Sequence, residues 1–256
     1  MQHIAAGGHR LEYRWHGPAA AAAPTLVFLH EGLGSVAQWK DFPQRAAAAS
    51  GCGALVYSRA GYGGSDPVSL PRPLDYMHRE GLVVLPQLLD ALRLERIILV
   101  GHSDGGSISL IYAGGAADQR LLGVVTLAAH VFNEEICVAS IRQARTAYQQ
   151  GNLRAALARY HSDVDCAFRG WNQAWLDPDF MQWNIEVFLP GIRVPLLAMQ
   201  GEQDEYGSAA QLDAIKAGSG GPTQIRLLPD CRHSPQRDQP KMTLDAIAGF
   251  VAERLN

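Results

Sequence analysis

The sequence lacks the features that mark membrane, secreted and metal-stapled proteins. No apolar run approaches the roughly 18 residues that a membrane-spanning helix needs. The first fifteen residues hold neither the apolar stretch nor the small-residue cleavage site of a signal peptide. The four cysteines show no CxxC spacing and no two histidines have zinc-ligand spacing, which argues against a disulfide scaffold or a structural zinc site. These absences predict a soluble cytoplasmic protein with no membrane partner.

Charge is also scarce. Charged residues make up 18% of the 256 residues, and 22 basic against 25 acidic side chains give a net charge of −3. No basic stripe stands out, so we expect no nucleic-acid partner. Hydrophobic residues make up 47% of the chain, which is enough for a large core and excludes a disordered protein. Composition leaves the oligomeric state open.

Short apolar runs alternate with longer amphipathic segments along the chain. Most of the short runs lack polar alternation, which is typical of strands buried on both faces. The strand candidates are Leu26–Leu29, Ala54–Tyr57, Ile97–Val100, Gly123–Ala128, Leu196–Met199 and Thr223–Leu228. The helix candidates between them are Gln38–Ala49, Tyr76–Leu92, Gly105–Ala113, Ala209–Ala217 and Lys241–Leu255. This alternation of strands and helices predicts an α/β fold with a mostly parallel central sheet covered by helices.

Residues 131–190 interrupt this alternation of strands and helices. They show helical pattern but no convincing strand, and they hold nine of the 20 aromatic residues. We predict that residues 131–190 form a helical cap, or lid, inserted into an α/β core made of residues 1–130 and 191–256. An insertion after a strand lies where open α/β sheets bind ligands.

The aromatic residues of this segment suggest a substrate site. Phe168, Trp171 and Trp175 are expected to face an apolar substrate pocket under the lid. Alternatively, the aromatic residues pack the segment's own core.

The strongest chemical signal is Gly101-His102-Ser103-Asp104-Gly105-Gly106. It follows a predicted strand and precedes a predicted helix, which is the context of a G-x-S-x-G nucleophile elbow. The turn is tight enough to need small residues two positions before and after the serine. A helix N-terminus behind the serine stabilises negative charge. Ser103 is therefore the predicted nucleophile; the alternative is that Ser103 only caps the helix.

A serine hydroxyl needs a base, and that base needs an orienting carboxylate. In folds that carry such a nucleophile elbow, the three residues follow one another along the chain in the order serine, acid, histidine. His233 lies in the loop after the last predicted strand and is the expected base. The acid should follow Leu196–Met199, where Asp204 competes with Glu202 and Glu205. Asp204 is favoured because a Gly-x-x-Asp turn presents a short side chain over the sheet edge.

An oxyanion needs two preorganised N–H donors. The predicted donors are the backbone of Asp104, directly after the nucleophile, and that of Gly32, in the loop after an early strand. The neighbouring Glu31 places a charge beside this site. Of the remaining histidines, His130 ends a strand at the same sheet edge and is a predicted substrate contact, whereas His161 is expected to be solvated.

These residues give the chain a resemblance to the α/β-hydrolase fold superfamily, of the serine esterase and meta-cleavage hydrolase type. The motifs that carry it are Leu29–Ser35, Arg59–Asp66, the elbow, Gly201–Asp204 and His233. The resemblance implies a helical lid between the sixth and seventh core strands and no cofactor. The chain departs from many members at Glu31, where they carry glycine.

The elbow is also similar to that of valacyclovir hydrolase, an α-amino-acid ester hydrolase of this fold. That resemblance implies that the carboxylate of Asp104 recognises a substrate ammonium. Alternatively, Asp104 is an acidic residue favoured by the helix dipole.

Together these features predict a serine hydrolase that cleaves a carboxylic ester of a small molecule through an acyl-enzyme, with neither a cofactor nor a metal. Related enzymes that hydrolyse epoxides or haloalkanes carry aspartate at the elbow, so Ser103 argues against them. Two alternatives remain: a hydrolase of carbon–carbon bonds in ring-cleavage products, and a small-molecule receptor with little turnover.

Overall fold

The computed structural model describes residues 1–255, and eight strands form one sheet. In chain order the strands are β1 (Gln2–Ala6), β2 (His9–His16), β3 (Thr25–Leu29), β4 (Gly53–Tyr57), β5 (Ile97–His102), β6 (Leu121–Leu127), β7 (Leu196–Gly201) and β8 (Thr223–Leu228). Their order in the sheet is β1-β2-β4-β3-β5-β6-β7-β8. Strands β3 to β8 pair in parallel, while β1 and β2 pair antiparallel at one edge. The predicted α/β class with a mostly parallel sheet is confirmed.

The six strands predicted from apolar runs are all present. Every residue of β3, β4, β5 and β7 is buried, as expected for strands covered on both faces. Strands β1 and β2 were not predicted. In β2 the charged residues Arg10, Glu12 and Arg14 alternate with apolar ones. Arg10 and Arg14 are exposed near the sheet edge, whereas Glu12 is buried and accepts from Ser58 Oγ (2.8 Å) and Gly64 N (2.9 Å). A search for continuous apolar runs passes over such a strand.

The five predicted helices are also present. The α-helices are α1 (Phe42–Ser50), α2 (Tyr76–Arg79), α3 (Leu85–Ala91), α4 (Asp104–Gly115), α5 (Glu135–Gln150), α6 (Leu153–Leu157), α7 (Val164–Trp175), α8 (Ala210–Gly218), α9 (Pro235–Asp238) and α10 (Pro240–Leu255). The predicted helix over Tyr76–Leu92 is α2 and α3 joined by a π-helical turn, Glu80–Val84. No helix in the described part of the chain combines the length and apolarity that crossing a membrane requires.

One predicted helix, Gln38–Ala49, is divided in two. A 3₁₀ turn, Val36–Trp39, ends at Lys40, which has a positive φ of 53°, and α1 begins only at Phe42. Pro43 lies in the first turn of α1, where its missing N–H costs nothing. Farther along a helix the same residue would break the hydrogen-bond ladder, so the chain starts a new helix instead.

Residues 131–190 are largely helical, as predicted. They contain α5, α6, α7 and two 3₁₀ helices, Pro178–Gln182 and Glu186–Gly191. The one pairing in this segment among the described residues is an isolated bridge between Phe132 and Asn184. Trp175, Phe180 and Trp183 pack on one another and share a buried apolar cluster with the helices and strands of the α/β core. Movement of this segment as a lid stays a prediction.

The approach of α4 to the sheet depends on glycine. A Cβ atom at Gly105 would collide with the carbonyl oxygen of Leu29 in β3, and one at Gly101 would collide with the backbone of Gly105. Helix α4 therefore approaches β3 and β5 so closely that no side chain fits at Gly105 or Gly101. This contact holds Ser103 at the carboxyl edge of the sheet.

We expect Gly105→Ala to lower the free energy of unfolding by about 1–3 kcal/mol, because the new methyl group forces α4 away from β3. Gly249→Ala is the matched control. Gly249 is exposed in α10, with nothing within 4 Å of an added Cβ, and this change should raise the free energy by up to about 1 kcal/mol. Urea unfolding measures both. Equal effects of the two substitutions would contradict the close contact at Gly105.

Candidate active site

Ser103 occupies a strained turn between β5 and α4. Its backbone has φ 52° and ψ −118°, a region that costs a non-glycine residue about 1–3 kcal/mol. Two hydrogen bonds hold the turn: Ser103 N donates to the carbonyl of Leu127 (2.8 Å), and Ser107 N donates to that of Ser103 (3.0 Å). The strand-turn-helix context of the elbow is as the sequence predicts. The turn places Ser103 on the wall of a cavity of about 230 Å³.

The cavity collects most of the residues predicted for the site. Besides Ser103, the predicted residues that line it are Gly32, Asp104, His130, Trp171, Trp175 and His233. Glu31, His102, Glu205 and Arg237 also line it. Elements far apart in the chain therefore meet at the carboxyl edge of the sheet, where open α/β sheets bind ligands.

His233 is paired with Asp204. His233 Nδ1 donates to Asp204 Oδ1 at 2.8 Å, and the same oxygen accepts from Tyr206 N at 2.8 Å. Burial raises the pKa of Asp204, but the hydrogen bond and charge of His233 and the N–H of Tyr206 outweigh it and lower the pKa overall. The carboxylate is thus ionised at neutral pH and holds the proton on Nδ1. Nε2 is left as the acceptor.

The two competing acids make no hydrogen bond to the His233 ring. Glu202 is exposed, and Glu205 accepts from the backbone N of His233 (3.2 Å) while pairing with Arg232 (3.1 Å). Of the three carboxylates, only that of Asp204 contacts the His233 ring.

The loop after β3 carries the predicted second oxyanion donor, Gly32. A Cβ atom at Gly32 would collide with the indole of Trp171, so the loop needs glycine where this ring covers it. The Glu31 carbonyl accepts from His30 Nδ1 (2.7 Å) and Arg59 Nη2 (2.9 Å), while Arg59 N donates to His30 Nε2 (3.0 Å). This network fixes the loop beside Ser103. The donor role of Gly32 and Asp104 stays a prediction.

The carboxylate of Asp104 is bound by protein groups on both oxygens. Oδ2 accepts from Tyr76 OH (2.6 Å) and lies 3.7 Å from Nη1 of the fully buried Arg59. Oδ1 accepts from Trp175 Nε1 (3.2 Å). Asp104 lies in the first turn of α4, as the helix-dipole interpretation expects, and its side chain is fully buried among these partners. Its carboxylate is not a free anion for a substrate ammonium, because Arg59 already compensates its charge.

His102 has no predicted role, although it lies inside the elbow motif. His102 Nε2 donates to the carbonyl of His233 (2.7 Å), and its Nδ1 is 3.4 Å from Glu31 Oε2 and 3.0 Å from Gln236 Nε2. Burial lowers the pKa of His102, but the hydrogen bond and charge of Glu31 raise it above 6.5 overall. Desolvation raises the pKa of Glu31, and His102 outweighs it to give about 2. Glu31 thus contacts His102 behind His233 and forms an ion pair with it whenever His102 is protonated.

Two of the expected aromatic contacts and His130 lie where the sequence places them. Trp171 and Trp175 line the cavity, and the ring of His130 is 5.3 Å from that of Trp175 and 5.7 Å from that of His233. His130 is buried, and its Nε2 donates to the carbonyl of Tyr206 (3.1 Å). Burial lowers the pKa of His130, so the ring is neutral.

Two other placements were wrong. Phe168 does not line the serine cavity: its ring stacks on Tyr148 at 3.7 Å and borders an outer groove. His161 is buried rather than solvated, since its Nδ1 accepts from Gly63 N (3.0 Å) and its Nε2 donates to the Leu33 carbonyl (3.0 Å). Both bonds pair with backbone groups of buried loops. These groups have no strand neighbour, so a side chain distant in sequence supplies the hydrogen bond instead.

The Glu31–His102 pair predicts a defined pH window. Glu31 adds stability above its ordinary pKa of 4.5, and His102 adds it fully below 6.5 and loses it as pH rises through its raised folded-state pKa. We expect Glu31→Gln to cost about 1 kcal/mol between these values and progressively less at higher pH. Urea unfolding across pH measures this. Glu202→Gln, at an exposed position, should follow the wild-type profile; a constant Glu31→Gln cost at all pH values would contradict the pair.

Comparison with known proteins agrees with this architecture. The family model described as the alpha/beta hydrolase family matches residues 26–246. A curated relative, 2-succinyl-6-hydroxy-2,4-cyclohexadiene-1-carboxylate synthase of Salmonella enteritidis PT4 (strain P125109), is 25% identical over 221 residues, covering 86% of this chain and 75% of that protein.

Two solved structures share the fold along nearly the whole chain. A carboxylesterase structure from Nitrososphaera gargenis superposes with a TM-score of 0.79 at 18% identity and covers 99% of both chains. The enol-lactonase from Burkholderia xenovorans LB400 gives a TM-score of 0.73 at 20% identity, covering 98% of this chain and 100% of that one. At these identities the similarity demonstrates the fold alone. Because the family match spans most of the chain, from β3 into α10, this protein is a member of the α/β-hydrolase family.

Proposed function

We propose that this hydrolase-family protein is a serine carboxylic-ester hydrolase that acts on a small molecule through an acyl-enzyme. The observation that carries the proposal is the hydrogen bond between His233 and the buried Asp204, with His233 lining the same cavity as a serine on a strained elbow. Within an α/β-hydrolase sheet, that combination suits acyl transfer. Esterases and lactonases among the structural relatives are compatible with it.

In the proposed reaction, His233 Nε2 accepts the proton of Ser103 as the hydroxyl oxygen attacks the acyl carbon. Asp204 holds the imidazole orientation and stabilises the imidazolium that forms. The backbone N–H groups of Gly32 and Asp104 bind the tetrahedral oxyanion. The imidazolium then protonates the departing alkoxide, and the alcohol leaves. Water, activated by His233, releases the acid and restores the serine.

The cavity limits the substrate. At about 230 Å³ it is small, and the indoles of Trp171 and Trp175 give it apolar walls. We therefore expect a compact, uncharged acyl group. The Asp104 carboxylate is occupied by Arg59, Tyr76 and Trp175, so the structure offers no basis there for a preference for α-amino esters.

The first test removes each member of the proposed triad. Ser103→Ala and His233→Ala should each lower kcat for p-nitrophenyl acetate by about 10³-fold or more, and the double variant should lose little further activity because the residues act as a unit. Asp204→Asn should also be severely impaired, since it favours the wrong imidazole tautomer. Glu202→Gln is the matched acidic control and should keep wild-type turnover.

The outcomes separate the alternatives. An acyl adduct on Ser103, detected by mass spectrometry after rapid quench, supports the acyl-enzyme. Near-wild-type turnover of Ser103→Ala would refute it. A single slow turnover in the wild type would favour a receptor, and activity only on a ring-cleavage dienone would favour a carbon–carbon hydrolase.

The second test concerns the apolar wall. Trp171→Ala should shift the preference among acetate, butyrate and hexanoate esters toward longer chains, because the indole closes the cavity over Gly32. Phe168→Ala is the matched control from the same helix. It removes a ring that stacks on Tyr148 and meets the Trp171 ring edge-on at 6.0 Å from outside the cavity. It should lower the free energy of unfolding by about 3–5 kcal/mol and alter chain preference less than Trp171→Ala does. An equal change in specificity would contradict the different placement of these rings.

A further inference from the structure

A second cleft, of about 700 Å³, lies next to the catalytic cavity but shares no lining residue with it. The turn between β1 and β2, the loop around Val68 to Pro73, and the helical stretch from Tyr76 to Gln87 form its walls. Tyr76 lines the cleft, and its hydroxyl donates to Asp104, which lines the catalytic cavity. The volume falls within the range of about 300–1,000 Å³ that is typical of small-molecule sites.

One wall of the cleft contains a buried carboxyl group without a partner. Glu80 is 6% exposed, and its Oε2 is sealed from solvent and accepts no hydrogen bond from the part of the chain that the structure describes. Burial raises the pKa of Glu80, although Arg59 and Arg72 oppose the shift. Protein carboxyl groups at this depth are normally hydrogen-bonded or ion-paired. Glu80 therefore has an unmet need for a hydrogen-bond donor.

The opposite charge stands in the same cleft. Arg72 is also 6% exposed, and its guanidinium carbon lies 5.0 Å from the ring centre of Tyr62 and 5.3 Å from that of Tyr76. Its Nη2 donates to the Ala60 carbonyl (2.9 Å), whereas its Nε has no partner among residues 1–255. The two tyrosine rings hold the cation in one place. The Nε–H group of Arg72 is thus a donor that is held in a fixed position and has no acceptor among the described residues.

The backbone is irregular at this point. The π-helical turn Glu80–Val84 interrupts an otherwise α-helical stretch, and Glu80, Val83 and Val84 all line the cleft. Such widened turns frequently occur at functional sites, because the additional residue redirects side chains that a regular helix would separate. Here the turn presents a carboxyl group and two apolar side chains to the same space.

We propose that this cleft binds a zwitterionic small molecule, namely an α-amino acid with a large apolar side chain. Its carboxylate meets Arg72, its ammonium meets Glu80, and its side chain packs on Val68, Val83 and Val84. An isolated anion would leave Glu80 unpaired, and an isolated cation would leave Arg72 unpaired. Only a ligand with both charges satisfies both groups. The site is independent of ester hydrolysis.

The experiment compares three ligands that share one ring by isothermal titration calorimetry. Phenylalanine carries both charges, 3-phenylpropanoate only the negative one, and 2-phenylethylamine only the positive one. We expect phenylalanine to bind with a millimolar or lower Kd and each analogue to bind at least about tenfold more weakly. Absence of phenylalanine binding, or equal binding of all three compounds, overturns the proposal.

Variants locate the binding. Glu80→Gln is nearly isosteric and should weaken phenylalanine binding by about tenfold or more. Arg79→Gln is the control, since Arg79 lines the same cleft but is exposed and pairs with Asp75. It should leave the Kd unchanged. Loss of binding in the Arg79 variant with retention in the Glu80 variant overturns the assignment.

A measurement on the wild type does not depend on how the variants fold. Pairing with an ammonium lowers the raised pKa of Glu80, so phenylalanine binding should release protons at pH values up to the folded-state pKa of Glu80, which lies above 4.5. In a pH series that starts at 4.5, the observed heat should vary with the ionisation enthalpy of the buffer in that window and less so above it. A heat that is the same in all buffers at every pH of the series overturns the role of Glu80.

Discussion

The contact between α4 and the central sheet is the constraint on which the site depends. Gly101 and Gly105 allow the helix to approach β3 and β5 more closely than any side chain permits. That approach forces Ser103 into a left-handed conformation, which an isolated chain would leave at once. The strain is held because both strands are wholly buried and because the carbonyl of Leu127 fixes the Ser103 amide. The stability of the core thus holds the Ser103 hydroxyl group in a position that the turn alone would not maintain.

Around this hydroxyl the protein binds each of three acids to a different partner. Asp204 is paired with His233, Asp104 with Arg59, and Glu31 with His102. A carboxylate without a bonding partner beside Ser103 would oppose an oxyanion forming there. Because each of these acids is held by a neighbour, its orientation is fixed and it in turn orients that neighbour.

The sequence predicts the parts of this arrangement that have local causes. Continuous apolar runs indicate buried parallel strands, the elbow glycines indicate a tight turn, and the turn after β7 favours Asp204 over Glu202. Features that depend on residues far apart in the chain cannot be predicted from these local patterns. The bond from Tyr76 to Asp104 joins residues 28 positions apart, and that from Gly63 to His161 joins residues 98 positions apart. No pattern near either residue reveals its partner, so His161 looks like a surface residue and nothing in the sequence indicates that Tyr76 binds Asp104.

The same network constrains how the predicted lid can move. Trp175, at the end of α7, donates from Nε1 toward Asp104 Oδ1 and Tyr76 OH (3.1 Å). Lifting this end of the helix would remove one hydrogen bond from the buried Asp104 carboxylate and one from Tyr76 OH, and both losses cost free energy. Trp171 lies about one turn earlier, over Gly32, and carries no comparable bond to Asp104 among the described residues. Any opening should therefore begin on the Trp171 side of α7 and pivot about Trp175, which would widen the cavity above the oxyanion loop and leave the Asp104 network intact.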